Sequence, residues 1–189
     1  GDLLSVDCGA IVSGWHGDAA ISVFVGGDDA ARPEDLRLSR VTEESLWAGI
    51  AAMRVGGRLY AVGEAIEESI VAAGKADGRD YGIVEDYVGH AIGQEMHLDP
   101  QIPNYAVRGK GPILASGFTG ALEPMVTLGD ARNRVLDDGW TVVTLDGSRA
   151  AHWEHTVVVR DAGLCVLTAV DGGAARLAEL GAPFAPVTG

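Results

Sequence analysis

Asp7 and Asp18 are the residues whose type and spacing first suggest chemistry. They stand eleven positions apart in VDCGAIVSGWHGD, on either side of Ser13-Gly14, a dipeptide suited to a tight hairpin turn. With the turn centred there, Asp7 faces Ala20, and Asp18 becomes the diagonal neighbour of Asp7 on the same face. Diagonal neighbours lie about 7 to 8 Å apart, within reach of one shared ion. Two carboxylates converging on an apolar strand pair repel unless a cation or a proton lies between them, and a metal is the simplest occupant. An isolated pair of acids on a hairpin ordinarily faces water. Val6, Cys8, Ile11 and Ile21 make both strands apolar and argue against that here.

Further ligand-type residues occur in similar settings. VGHAIGQEMHLDP carries His90 and His97, LEPMV carries Glu123, and HWEHTVVV carries Glu154. Each has a plainer reading, as a surface imidazole or a strand Glu turned to water. Glu123, wedged between Leu122 and Pro124-Met125-Val126, resists that reading most. Two Asp, two Glu and one or two His form an oxygen and nitrogen donor set suited to Mn, Fe(II), Co or Zn, and carboxylates can bridge two such ions. Other patterns fail. HWEH lacks the spacing and the helix of the His-Glu-x-x-His zinc motif, so of its residues only Glu154 is promoted. GGRLYAVGEA lacks the Gly-Lys-Ser/Thr ending of a phosphate loop. Cys8 reads as a core cysteine, and His16 as a residue that orients its neighbours.

The elements that must position these residues follow from pattern. The 189 residues suit one domain, and 47% hydrophobic content is enough for a core. Residues 3–25 read as a β-hairpin. Pro33 opens a helix with Leu36, Val41, Leu46, Ile50 and Met53 at helical spacing, closed by Gly56-Gly57. A second helix spans about 59–74, with Gly74 as its stop. Residues 78–112 read as functional loops carrying both His90 and His97. GALEPMVTL, WTVVTLD, AAHWEHTVVVR and GLCVLTAV then read as an antiparallel meander, followed by a short helix over 174–180 and a loose tail, GAPFAPVTG.

Charge narrows the partners. A net charge of −13, with only 14 Lys and Arg, argues against binding nucleic acid or an anionic membrane. Two cysteines make no disulfide framework and suit a reducing cytoplasm. No apolar run reaches the length of a membrane helix, and no signal peptide is evident. The chain opens on Gly1-Asp2 directly into a strand, without Met, and reads as a fragment.

VDCGAIVSGWHGD, VGHAIGQEMHLDPQIPNY, LEPMV and AAHWEHTVVV together resemble, in order and spacing, the type I methionine aminopeptidases, metallopeptidases of the pita-bread fold. The resemblance runs from residue 1 to about 170. It implies an α/β fold with a curved antiparallel sheet backed by helices, and a single catalytic domain matching roughly the C-terminal two thirds of the usual chain. It also implies two divalent metal ions: Asp7 on one, His90 and Glu123 on the other, Asp18 and Glu154 bridging both. A water shared by the ions would attack the carbonyl of an N-terminal methionine, with Glu123 as proton acceptor and His97 hydrogen-bonded to the substrate carbonyl. Met96 and Trp140 match positions lining the methionine pocket. The family usually has Gly-His-Gly-Ile-Gly where this chain has Gly89-His90-Ala91-Ile92-Gly93, and it has an additional N-terminal part.

The expected activity is thus removal of N-terminal methionine from peptides and nascent chains by a cytoplasmic monomer, with transient ribosome association. Proline-specific aminopeptidases share the fold and the ligand set and are the nearest rival. A non-catalytic pita-bread module binding a protein partner is the rival from another class, and the full set of five ligands counts against it.

Overall fold

Ser13 and Gly14 both take positive φ, 50° and 81°, the backbone of a two-residue primed turn. The chain therefore folds back on itself as β1 (Leu3–Val12) and β2 (Trp15–Phe24), paired antiparallel with Asp7 opposite Ala20 and Gly9 opposite Asp18, the expected register. The computed structural model describes residues 1–187. A 3-10 turn (Asp28–Ala30) leads to α1 (Pro33–Ala52) and α2 (Tyr60–Asp77). Pro33 occupies the first helical turn with Glu34 and Asp35, where fixed φ and negative charge both favour helix entry. The second helix runs past Gly74 and ends at Gly78, which takes the left-handed conformation and returns its N–H to the Gly74 carbonyl.

The two helices pack closely because Gly49 has no side chain. A Cβ there would lie 2.6 Å from Cγ1 of Ile66. Leu38, Leu46 and Ile50 of α1 and Val62, Ile66 and Ile70 of α2 form a core with sheet residues such as Leu122, Val157 and Val159. Each such side chain contributes roughly 1.5–3 kcal/mol by burial.

The remaining strands are short: β3 (Gly82–Ile83), β4 (Gly89–Ala91), β5 (Leu98–Ile102), β6 (Thr119–Leu122), β7 (Met125–Thr127), β8 (Asn133–Val135), β9 (Val142–Thr144), β10 (Ala150–His152), β11 (Glu154–Arg160) and β12 (Gly163–Val166). α3 (Ala174–Glu179) follows. The main sheet has the order β1-β2-β11-β6-β4-β5, with β12 beside β11; β10-β7-β3 and β8-β9 form two smaller sheets.

Several expectations are corrected by this arrangement. The late strands are no single meander, since Glu123-Pro124 and Trp153 break two of the runs and send their halves to different sheets. His90 lies in strand β4, buried, and not in a loop. Cys8 is exposed, because little packs over β1, whose residues face solvent almost throughout. The tail is docked: Phe184 bridges Leu164, Ala185 donates its N–H to the Leu164 carbonyl at 2.9 Å, and Ala185 is buried. Thr188 and Gly189, the end of that stretch, lie outside the described residues.

Candidate metal centre

Two adjacent rows of the main sheet assemble the site. Ala20 on β2 is opposite Asp7 on β1 and also opposite Glu154 on β11. On the other side of β11, His155 is opposite Leu122, so one step along the ladder sets Glu123 beside Glu154. The neighbouring row runs from Gly9 through Asp18, Thr156 and Ala121 to His90. Directly opposed residues share a face, and so do residues two apart along a strand. All five expected ligands therefore project from one face. Small side chains at Gly9, Ala20 and Ala121 leave room for the acids to lean together.

The resulting contacts are close. Asp7, Asp18 and Glu154 offer oxygens within 4.8 Å of one another, and so do the ligand atoms of His90, Glu123 and Glu154. Glu154 belongs to both groups. Nε2 of His90 lies 3.8 Å from Asp18 Oδ2 and 3.6 Å from Glu123 Oε1. The exposed His97 joins a third group with Asp18 and His90 and stacks edge-on against the His90 ring, centroids 4.5 Å apart.

The electrostatics favour a cation. Burial, and then Asp18, Glu123 and Asp7, push the Glu154 carboxyl up to about 9. Burial, and then Asp18 and Asp7, push Glu123 up to about 8. Asp18 is raised by burial and by Asp7, and burial lowers His90, favouring the neutral imidazole that can bind a metal. Without a positive charge among them Glu123 and Glu154 hold protons that a divalent ion displaces. Asp, Glu and neutral His with no thiolate suit Mn, Fe(II), Co or Zn.

Three supporting residues were not singled out from sequence. Oγ1 of Thr156 accepts the Asp18 N–H at 3.1 Å and donates to the Asp18 carbonyl at 2.7 Å. Nδ2 of the buried Asn104 donates to the Glu123 carbonyl at 3.2 Å. His152, set aside with the rest of HWEH, lines a cavity of about 570 Å³ with Ser5, Tyr87, Met125 and Val142. Its position two residues before Glu154 was the available signal; Thr156 stands two residues after it, and Asn104 had none.

The two expected pocket residues lie apart from that cavity's lining. Met96 packs on the hairpin, where a Cβ on Gly9 would meet its Cε at 2.5 Å. Trp140 is 87% exposed, two residues before the cavity residue Val142.

The sequence profile of Metallopeptidase family M24 matches residues 1–161. Methionine aminopeptidase 1 of Mycobacterium tuberculosis (strain CDC 1551 / Oshkosh) is 57% identical over 168 residues, which cover 89% of this chain and 62% of the relative. The crystal structure of methionine aminopeptidase from Thermotoga maritima superposes with a TM-score of 0.81 at 45% identity, over 89% of this chain and 64% of that one. Prolidase from Pyrococcus furiosus superposes with a TM-score of 0.66 at 20% identity, over 90% and 42%, a likeness of fold alone. The chain thus spans a little under two thirds of the length of the methionine aminopeptidases it matches.

Proposed function

Since this chain belongs to metallopeptidase family M24 and has its α/β pita-bread fold, we propose that it forms a single catalytic domain removing the N-terminal methionine from peptides and nascent chains. One observation carries the reading: five acid and imidazole ligands project from two adjacent rows of one sheet face, with Glu154 common to two of the ligand groups.

Asp7, Asp18, His90, Glu123 and Glu154 would hold two divalent cations, Co, Mn, Fe(II) or Zn, with Asp18 and Glu154 as the carboxylates that would serve both. Divalent cations bound there supply Lewis-acid polarisation of a peptide carbonyl and acidify a water. The protein's own groups do the rest. Glu123, as the carboxylate, would take the proton released as water attacks and pass it to the leaving amine. His97, exposed at the edge of the cluster, donates a hydrogen bond to the oxygen that becomes negative in the tetrahedral intermediate. Met96 and Trp140 contribute apolar surface toward the methionine side chain.

The working protein on this reading is a cytoplasmic monomer that meets its substrates through transient ribosome contact, without binding nucleic acid or membrane itself. No helix among the described residues is long and apolar enough to cross a membrane, and the charge of −13 disfavours anionic surfaces.

The test is methionine release from a Met-Ala-Ser peptide, with Mn or Co added and then with chelator. Release that chelator abolishes supports the assignment. Metal uptake without release from this peptide would overturn the assigned activity while leaving the metal centre standing.

A further inference from the structure

The turn between α1 and α2 is stitched to the segment after Gly109. Gly56 donates its N–H to the Leu114 carbonyl at 2.8 Å, Leu59 donates to Pro112 at 2.9 Å, and Leu114 donates back to Gly57 at 2.9 Å. Between the two segments lies a hollow of about 390 Å³, lined by Arg54, Arg58 and Lys110, with Glu64 beside them. None of these residues belongs to the metal-ligand groups or lines the larger cavity near them.

Local structure places each cation. Gly57 has no side chain, and the Arg54 stem lies against it: a Cβ there would be 3.0 Å from Arg54 Cγ. Arg58 forms an isolated bridge with Ile113, and its Nη1 donates to the Gly111 carbonyl at 3.2 Å. Gly111 takes a φ of 66° and sits so close to the Tyr60 ring that a Cβ would lie 2.7 Å from Cδ1. That contact holds the loop that displays Lys110.

Cations gathered around one hollow repel one another unless an anion lies among them. The chain has 27 Asp and Glu against 14 Lys and Arg, yet its own carboxylates do not fill this role. Arg32, Arg37, Arg132, Arg149 and Arg176 each stand within ion-pair distance of an acid. Among the described residues, Arg54, Arg58 and Lys110 do not, and Glu64 lines the hollow without reaching them. A guanidinium fork pairs two donors with two oxygens, and an ammonium adds a compact charge. Two forks and one ammonium suit a group with several oxygens and more than one negative charge, which is a phosphate. The hollow is a single recess and not a track, and a net charge of −13 repels a long polyanion.

We propose that Arg54, Arg58 and Lys110 form a binding site for one phosphate group, free or carried by a small molecule, separate from the metal centre.

The experiment follows the ¹⁵Nε resonances of Arg54 and Arg58 in the chain, with and without Zn. Inorganic phosphate and glycerol 3-phosphate are the probes, with sodium chloride at matched ionic strength as the control. Both resonances are expected to move and saturate with a Kd of about 1 mM, the affinity that two charge-assisted contacts supply. Arg54→Gln should weaken binding about tenfold, and Glu64→Gln should tighten it about twofold by removing the competing acid. Tighter binding of the ester identifies a phosphorylated small molecule as the occupant, and tighter binding of phosphate the free ion. Movement that chloride reproduces, or that never saturates, means an adventitious ion only and overturns the proposal. Unchanged affinity in Arg54→Gln overturns it as well.

Discussion

Thr156 grips Asp18 at both ends of its peptide unit, accepting its N–H at 3.1 Å and donating to its carbonyl at 2.7 Å. The two residues are 138 positions apart, and the grip replaces the ladder bonds that β2 and β11 would make at this row. Thr156→Val keeps the shape and removes both bonds. It should cost about 1–3 kcal/mol of stability through the unpaired backbone groups, and weaken metal binding by about tenfold because Asp18 loses its fixed aim. Thermal unfolding and metal titration check the two effects separately. Full metal affinity in Thr156→Val would refute the positioning role.

Ala20 is 1% exposed and opposes both Asp7 and Glu154. Ala20→Leu would put a branched side chain where the two carboxylates converge. Overpacking of this kind costs about 1–3 kcal/mol, which the core formed with α1 and α2 should withstand. Metal uptake should fall far more than stability. Equal metal affinity in parent and variant would show that the acids do not close over this position.

Asp18→Asn removes a proposed ligand while keeping its shape. Metal affinity and metal-dependent methionine release should both fall by more than the ten- to hundredfold that supporting residues typically contribute, with the fold retained by circular dichroism. Release at the parent rate would mean that Asp18 is no bridge.

The metal-free chain should become less stable as pH rises from 7 to 9. Glu123 and Glu154 are held at about 8 and about 9, above the ordinary carboxylate range. The folded state therefore binds more protons than the unfolded one across this interval, and stability falls as those protons leave. His155, pushed down to about 4 by burial, acts in the opposite sense, but its contribution is complete once pH exceeds the ordinary histidine range near 6.5. Added Mn or Co should flatten or reverse the slope and release protons on binding. Melting temperatures at pH 7, 8 and 9, with and without metal, decide it; a rise for the metal-free chain would contradict the protonated acids.

What the chain determined by itself is local. The Ser13-Gly14 turn dictates the hairpin and its register, because two residues of positive φ admit one pairing of the strands that follow. The spacing of Leu46, Ile50, Ile66 and Ile70 dictates two helices with an apolar face each. Asp7, Asp18, Glu123 and Glu154 stand out as candidate ligands from the apolar runs around them, His90 from a glycine-bearing loop, and all five from their resemblance to a family pattern.

Only the tertiary structure decided how those ligands meet. β11 enters between β2 and β6, and nothing near Glu154 in sequence specifies that Ala20 will lie opposite it. Cross-strand pairing joins residues by register across the whole fold, so the small residues that make room for the cluster and the polar ones that brace it, Ala20, Ala121, Thr156 and Asn104, look ordinary in the linear text. The same holds for Cys8, whose apolar neighbours suggest a core position although little packs over the strand carrying it. Burial depends on what packs over a strand, and a strand's own residues do not record that.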